Sequence, residues 1–356
     1  MPKKILGSFT FVLHSHLPYV LSHCRWPHGT DWVNEATAET YIPILNVLNR
    51  LVDEGISPKL TIGITPVLTE QLKSPSFRDE FRGYVLNKIE AARADILEFK
   101  AIKEPGYLKV AKMWENFYTG ALDAFTNKYK EDLVKAFSAL QRQGHIEIIT
   151  CGATHGYFPL LSRDESIQAQ VKQAVASYKR NYGKKPKGIW LPECAYRPGY
   201  RWTPPVEGSG LSPYMRKGVE EFLSENGLEY FIVDSHLLEG GKAIGVYLDR
   251  YEALEKLWNR FEESYSPRPV DPDKSPYDIF AVGGKPGKKP VAILTRDPKT
   301  GLQVWSGEHG YPGNGDYLDF HKKRFPGGLR YWRVTDIKAD LAEKKIYRPE
   351  TAAKFI

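Results

Sequence analysis

Residues 162–193 read SRDESIQAQVKQAVASYKRNYGKKPKGIWLPE. Ser162 and Glu165 stand at the Ser-x-x-Glu spacing of a capping box, so a helix is predicted to open there and to run to Gly183, a residue type that ends helices in a left-handed turn. Beyond Lys184-Lys185-Pro186, the run from Lys187 to Leu191 predicts a strand that stops at Pro192-Glu193. A helix followed directly by an apolar strand with a polar corner at its end is the repeating unit of a parallel α/β sheet.

The same unit recurs on both sides of this stretch. Leu6 to Leu13 predicts a strand ending at His14-Ser15-His16-Leu17-Pro18, ahead of an amphipathic helix from Glu35 to Glu54 that stops at Gly55. Lys59 to Ile64 ends at Thr65-Pro66, and His145 to Thr150 meets Gly152-Ala153-Thr154-His155-Gly156. A short helix stopping at Gly227 precedes Tyr230 to Val233, which ends at Asp234-Ser235-His236. Two stretches depart from the rhythm. Residues from about 80 to 144 are charged and helix-prone, interrupted at Pro105-Gly106, and predict a helical insertion. From Tyr277 to Ser306 the pattern is strand, turn, strand, turn, strand, with turns at 283–287 and 297–301, a β-rich excursion. Five clear units and this excursion are too few to close a barrel of parallel strands.

At 356 residues the chain has room for two domains, or for one barrel with insertions, on a scale of about 150 residues per domain. Apolar residues make up 42 % and charged residues 26 %, the balance of a folded globular protein and not of a disordered one. No stretch reaches the ~18 uninterrupted apolar residues of a membrane helix, and no cleavable leader follows Met1-Pro2-Lys3-Lys4, so a cytoplasmic protein without a membrane partner is expected. The net charge of +7 is a small difference between 50 basic and 43 acidic residues, and the basic runs at 184–187 and 285–289 sit in Pro/Gly turns. No nucleic-acid partner is expected on that basis. Cys24, Cys151 and Cys194 are odd in number and widely spaced, which suggests small buried residues in place of a disulfide or zinc framework. Aromatic residues reach 13 %, with several tryptophans in apparent loops, where exposed rings need a purpose.

In parallel sheets the chemistry collects at the carboxyl ends of the strands. His14, His16, His155, Glu193, Asp234 and His236 all stand there. His14 and His16, two apart, share a face if the extended backbone persists. On pattern alone two enzyme readings are equal: a carboxylate-centred site around Glu193, or a His-x-His metal site completed by a later His and Asp. Glu193 itself, with Trp190 before it and Arg197 after it, reads equally as a catalytic carboxylate or as the partner of Arg197 in a surface salt bridge.

Phe11-Val12-Leu13-His14-Ser15-His16-Leu17-Pro18-Tyr19-Val20, Gly152-Ala153-Thr154-His155-Gly156-Tyr157 and Trp190-Leu191-Pro192-Glu193-Cys194-Ala195-Tyr196-Arg197 resemble the first three motifs of glycoside hydrolase family 57. Trp26-Pro27 with Trp32, the stretch 63–68, Gln303-Val304-Trp305-Ser306, the stretch 310–313 and Tyr331-Trp332-Arg333-Val334-Thr335 extend the resemblance in order over nearly the whole chain. Within the family they are most similar to the 1,4-α-glucan branching enzymes. The resemblance implies an α/β fold, an incomplete seven-stranded (β/α) barrel over 1–340 with the helical insertion and the β-rich excursion within it. It implies a retaining double displacement on α-1,4-glucan (amylose or a glycogen-like polysaccharide), with Glu193 as nucleophile and transfer to a 6-hydroxyl to form α-1,6 branches. His14, His16 and His155 then line the sugar subsite, Trp26, Trp32 and Trp305 the acceptor side, and Trp190, Asp234 and His236 support them. No metal and no cofactor are implied. An amylase or 4-α-glucanotransferase of the same family, and a non-catalytic α-glucan-binding module, are the alternatives.

One departure stands out. The family's general acid is an Asp in a later motif, Tyr-Asp-x-Glu-Leu-Phe-Gly-His-Trp-Trp, and this sequence has no counterpart. Residues 341–356 read as the start of a C-terminal helical region, with Pro349-Glu350 favouring a first helical turn, so a truncated chain with little activity of its own is expected.

Overall fold

The computed structural model describes residues 7–25, 29–204, 206, 208, 210, 212–240, 259, 269–284, 287–308 and 310–355. Trp26 and Leu6 lie outside the described residues; of the strand predicted from Leu6 to Leu13, residues 7–11 are not strand, and the first strand begins at Val12 and reaches Ser15. Among those described, seven strands form one sheet in the order β1-β2-β3-β4-β7-β9-β8. They are β1 (Val12–Ser15), β2 (Leu60–Ile64), β3 (Ile146–Cys151), β4 (Gly188–Trp190), β7 (Tyr230–Val233), β9 (Val291–Thr295) and β8 (Phe280–Val282). Every neighbouring pair is parallel except β8–β9. No pairing of β1 with β8 closes the sheet among the described residues, in keeping with the incomplete barrel. A separate two-stranded ribbon joins β5 (Tyr200–Trp202) and β6 (Tyr214–Arg216).

The strands read as nearly continuous apolar runs because both faces of the sheet are covered. Alternate residues go to different cores. Ile148, Ile189, Phe231 and Val233 pack outward against the helices, while Ile149, Cys151, Trp190 and Ile232 form a smaller cluster on the other face with Val12 and Leu294. With a side-chain period of two, Val12 on that face brings His14 to it as well. Register aligns the strand ends: His14 faces Gly63, Cys151 faces Trp190, and Trp190 faces Ile232.

The helical insertion is present as α4 (Pro75–Ala101), α5 (Pro105–Asp123) and α6 (Leu133–Arg142), and Pro105 opens α5 at a position where no N–H is needed. Leu329 and Tyr331 from the later chain are buried in the same core, and Trp114 Nε1 donates to the Arg330 carbonyl at 2.6 Å. The predicted helix 35–54 begins earlier, at Thr30, and widens into a π-turn over Thr37–Tyr41 before Pro43, which has no N–H to return.

Two local expectations are corrected. Helix α7 spans Asp164–Tyr182 with Arg163 at its N-cap, without the predicted capping box; Gly183 does close it at φ +74°. The Asp164 carboxylate accepts from Arg216 Nε at 3.1 Å, Arg197 Nη2 at 3.3 Å and the Lys217 N–H at 2.9 Å. Arg197 and Arg216 are buried, so the acid at the helix start answers two desolvated guanidiniums. The β-rich excursion holds only for its first two strands. Residues Pro298–Trp305 are helical because Asp297 accepts from the Thr300 N–H at 2.7 Å and Pro298 takes the first helical position. No helix among the described residues is long and apolar enough to cross a membrane.

Gly188 fixes the approach of β4 to β7. It faces Tyr230 across the ladder, and a Cβ there would lie 2.2 Å from the tyrosine ring, which is tied by its hydroxyl to Glu147. Gly188→Ala is expected to destabilise by about 1–3 kcal/mol, lowering Tm by about 2–4 °C for each kcal/mol. Calorimetry of Gly188→Ala alone and combined with Tyr230→Ala checks this: the loss should shrink in the double variant, and equal losses would place the strain elsewhere.

Candidate active site

Four aromatic rings stack above the sheet end. The His14 ring lies 4.8 Å from that of Trp190 at an interplanar angle of 14°, and 5.3 Å from that of His155 at 22°. His155 in turn stacks on His16 at 3.8 Å and 17°. The sequence expectation that His14 and His16 share a face is met, since both lie against one imidazole. Room for His14 comes from Gly63, where a Cβ would stand 2.9 Å from its Nδ1. His16 is oriented by Thr65, whose hydroxyl lies 3.3 Å from Nδ1.

His155 is the hinge of the arrangement. Its Nε2 lies 3.0 Å from Glu193 Oε1 and its Nδ1 lies 3.1 Å from Cys151 Sγ. A carboxylate only accepts, so Nε2 carries the proton and Nδ1 accepts from the thiol. Burial pushes the Cys151 thiol well above its ordinary range, which keeps that S–H in place. A chain of bonds thus runs from the core through an imidazole to the carboxylate. Glu193 does not pair with Arg197, which is held by Asp164; the surface salt-bridge reading fails.

The backbone is strained where these groups sit. His155 has φ +61°, Glu193 +56° and Cys194 +53°, all in the left-handed region. Such residues cost on the order of 1 kcal/mol or more each, and persist where the surroundings over-determine them. Here the turns are closed by Cys194 N–H to Leu191 O at 2.8 Å and His155 N–H to Gly152 O at 3.0 Å. The result turns the Glu193 side chain outward, 67 % exposed, while the His155 side chain is 7 % exposed.

The remaining expected residues are spread around this centre. Trp190 is buried and supports His14 from below. Asp234 is bound to Arg296, with Nε at 2.6 Å from its carboxylate, and His236 lies in the short helix Ser235–Glu239 that follows. Trp32, in the helix Thr30–Ala36, and Trp305, at the end of Pro298–Trp305, are both exposed, as rings offered to a ligand must be. Cys24 is exposed, contrary to expectation, while Cys151 and Cys194 are buried as expected. Sequence reading missed Cys151, Thr65 and Arg296 as site residues. Thr65 and Cys151 stand at strand ends like the residues that were found, and Arg296 directly follows β9. Position was the available signal. His14, Cys151 and His155 also bring potential metal-ligand atoms within 4.8 Å of one another.

Comparison with known proteins identifies what this geometry belongs to. The model of glycosyl hydrolase family 57 matches residues 10–326. A 1,4-alpha-glucan branching enzyme of Thermococcus kodakarensis is 40% identical over 98% of this chain and 47% of its own length. The crystal structure of the branching enzyme of that archaeon, in complex with glucose and additives, superposes with a TM-score of 0.81 at 38% identity, covering 98% of this chain and 58% of the other. An alpha-amylase, AmyC of Thermotoga maritima, gives a TM-score of 0.72 at 28% identity, covering 98% and 60%. The chain spans about half the length of the branching enzyme sequence it matches.

Burial first, then repulsion from His155 and His16, pulls His14 down to about 3 from an ordinary 6.5. His16 falls to about 4 for the same leading reason, with His155 adding to the fall and Glu193 opposing it. Both imidazoles are neutral at pH 7, each with one donor and one acceptor nitrogen. Because the unfolded chain binds these protons more readily, their contribution to stability is complete above pH 6.5 and is lost as the pH falls through about 4 and then about 3. Scanning calorimetry should show Tm falling on acidification from pH 6.5 to pH 4, less steeply in His14→Gln. An unchanged slope in that variant removes His14 as a source.

Proposed function

The chain belongs to glycosyl hydrolase family 57, and on that footing we propose that it is the nucleophile-bearing barrel of a 1,4-α-glucan branching enzyme acting in the cytoplasm, with Glu193 as the nucleophile. The observation that carries this reading is the outward-facing Glu193 carboxylate, aimed by a strained turn and held by the His155 Nε2 at 3.0 Å.

In this reading a Glu193 oxygen attacks the anomeric carbon of an α-1,4-glucan. The bond from that carbon to the departing 4-oxygen breaks, and a glycosyl ester forms. The 6-hydroxyl of a second glucan segment then attacks the same carbon from the face the first chain left, giving its proton to the carboxylate that protonated the leaving oxygen; the ester breaks, and an α-1,6 branch results. Two inversions give net retention. Neutral His16 offers its Nε2 to a sugar hydroxyl, with His14 and His155 lining the subsite as the stacked rings behind it, while Trp32, Trp305 and, beyond the described residues, Trp26 stack on sugar faces and keep water from the ester. Hydrolysis and transfer differ only in which hydroxyl arrives second, so the aromatic rim selects the outcome.

The first step needs a proton for the leaving oxygen, from a second carboxyl about 5–5.5 Å from the nucleophile. Asp234 is engaged by Arg296 and takes a supporting role. The sequence holds no counterpart of the family's Asp motif, so the reading expects this chain alone to turn over glucan slowly or not at all. A glucan-binding module without turnover is the second reading, and it predicts the same stacking surface without ester formation.

α-Maltosyl fluoride separates the two, because fluoride leaves without protonation and a nucleophile can act on it unaided. Incubation with the chain should add a maltosyl group to the peptide containing Glu193, read by mass spectrometry, and Glu193→Gln should abolish the adduct. An adduct on another carboxylate moves the nucleophile; no adduct at all, with maltose-oligomer binding intact by calorimetry, favours the binding module. With the missing acid supplied, amylose should give α-1,6 anomeric signals by proton NMR, and new reducing ends alone would make the enzyme an amylase.

A further inference from the structure

The ring stack contains a donor set that sugar binding does not explain. His14, Cys151 and His155 contribute two imidazole nitrogens and one sulfur, with the ligand atoms within 4.8 Å of one another. Both ring nitrogens of His14 are buried and have no hydrogen-bond partner, so a cation that takes one of them breaks no existing bond. The ring is already fixed between Trp190 and His155. Cys151 Sγ and His155 Nδ1 face one another at 3.1 Å.

We propose that His14, Cys151 and His155 form an inhibitory site for a zinc-class cation. Two nitrogens and a thiolate suit a borderline-soft ion and not calcium or magnesium, which take oxygen ligands. Metal–nitrogen bonds of about 2.0–2.1 Å and metal–sulfur bonds of about 2.3 Å in a tetrahedron put ligand atoms between three and four ångströms apart, so movements on the order of 1 Å assemble the site. The other nitrogen of His155 already meets a carboxylate, which is the support that metal-bound histidines take in proteins. Here the supporting carboxylate is Glu193. Binding therefore releases the Cys151 proton to solvent, forms a bond from sulfur to the metal, and leaves a fourth position for water. The occupied site holds Glu193 through His155 and locks the His14 and His155 rings of the stack onto the metal. Binding rests on this geometry alone; that it inhibits rests on the reading of Glu193 as the nucleophile.

Cadmium is the probe, because a cadmium–thiolate bond absorbs in the ultraviolet. Titration of the metal-free chain should raise that band to saturation at one equivalent. Cys151→Ser, checked for folding by circular dichroism, should lose it, and His14→Gln should weaken binding by more than the about 10–100-fold that a lost supporting partner costs. Cys24→Ser should keep it, since Cys24 is exposed and outside the cluster. No band, or a band lost in Cys24→Ser and kept in Cys151→Ser, overturns the site. Zinc should then slow labelling by α-maltosyl fluoride, with recovery on chelation. Cadmium bound at the cluster with zinc leaving labelling unchanged overturns the inhibition. If the metal-free chain is never labelled, the nucleophile reading has failed, and the band still decides the site.

Discussion

The imidazole of His155 is gripped on both nitrogens, by a buried thiol on one side and by the Glu193 carboxylate on the other, and the site depends on that double hold. A hydrogen bond to an exposed carboxylate in water contributes little by itself. This one starts from a ring that is almost fully buried and stacked on His16 and near His14, so the carboxylate meets a donor with no freedom to wander. Precision is inherited from the core, through Cys151 at the end of β3. The register that sets Cys151 opposite Trp190 therefore also sets the distance between the histidine and the acid.

Strain is the complement of this rigidity. Three residues in the left-handed region within two short turns oppose folding, and the core clusters beneath them must offset that cost. Glycine at those positions would relieve the strain, and would remove the side chains the site needs. The sequence instead places its glycines where a neighbour must come close: Gly63 under His14 and Gly188 under Tyr230. Side chains that act and backbones that yield have been assigned to different residues.

Much of this was legible in the sequence, and the division follows the range of the interactions. Strand ends at His14, His155, Glu193 and Asp234 were readable because apolar runs that stop at polar corners are local signals. Gly183 was readable as a helix end for the same reason. The start of α7 departs from the local pattern because Asp164 serves Arg197 and Arg216, two residues brought to it only by the fold. The same long-range pairing removed Arg197 from Glu193. Asp297-Pro298 reads as a turn, although an acid followed by proline is equally the opening of a helix; what decides is whether the following residues can continue, and Thr300 to Trp305 do. Cys151 looked like a small apolar core residue, and only its contact with His155 shows that the thiol reaches a polar group.

The stack also shows how three histidines can crowd together at one end of the sheet. Protonation of any one of them puts a charge within a few ångströms of the others and partly out of water, so burial and mutual repulsion both favour the neutral rings of His14 and His16. A neutral imidazole presents a donor at one edge and an acceptor at the other, which is what lets His155 accept from the Cys151 thiol while donating to Glu193. Lysine or arginine at these positions would offer donors alone and would carry charge toward Glu193. The physical choice of histidine is thus coupled to the carboxylate: one ring accepts from the core and donates to the acid, and of the three histidines His155 is the one aligned to touch it.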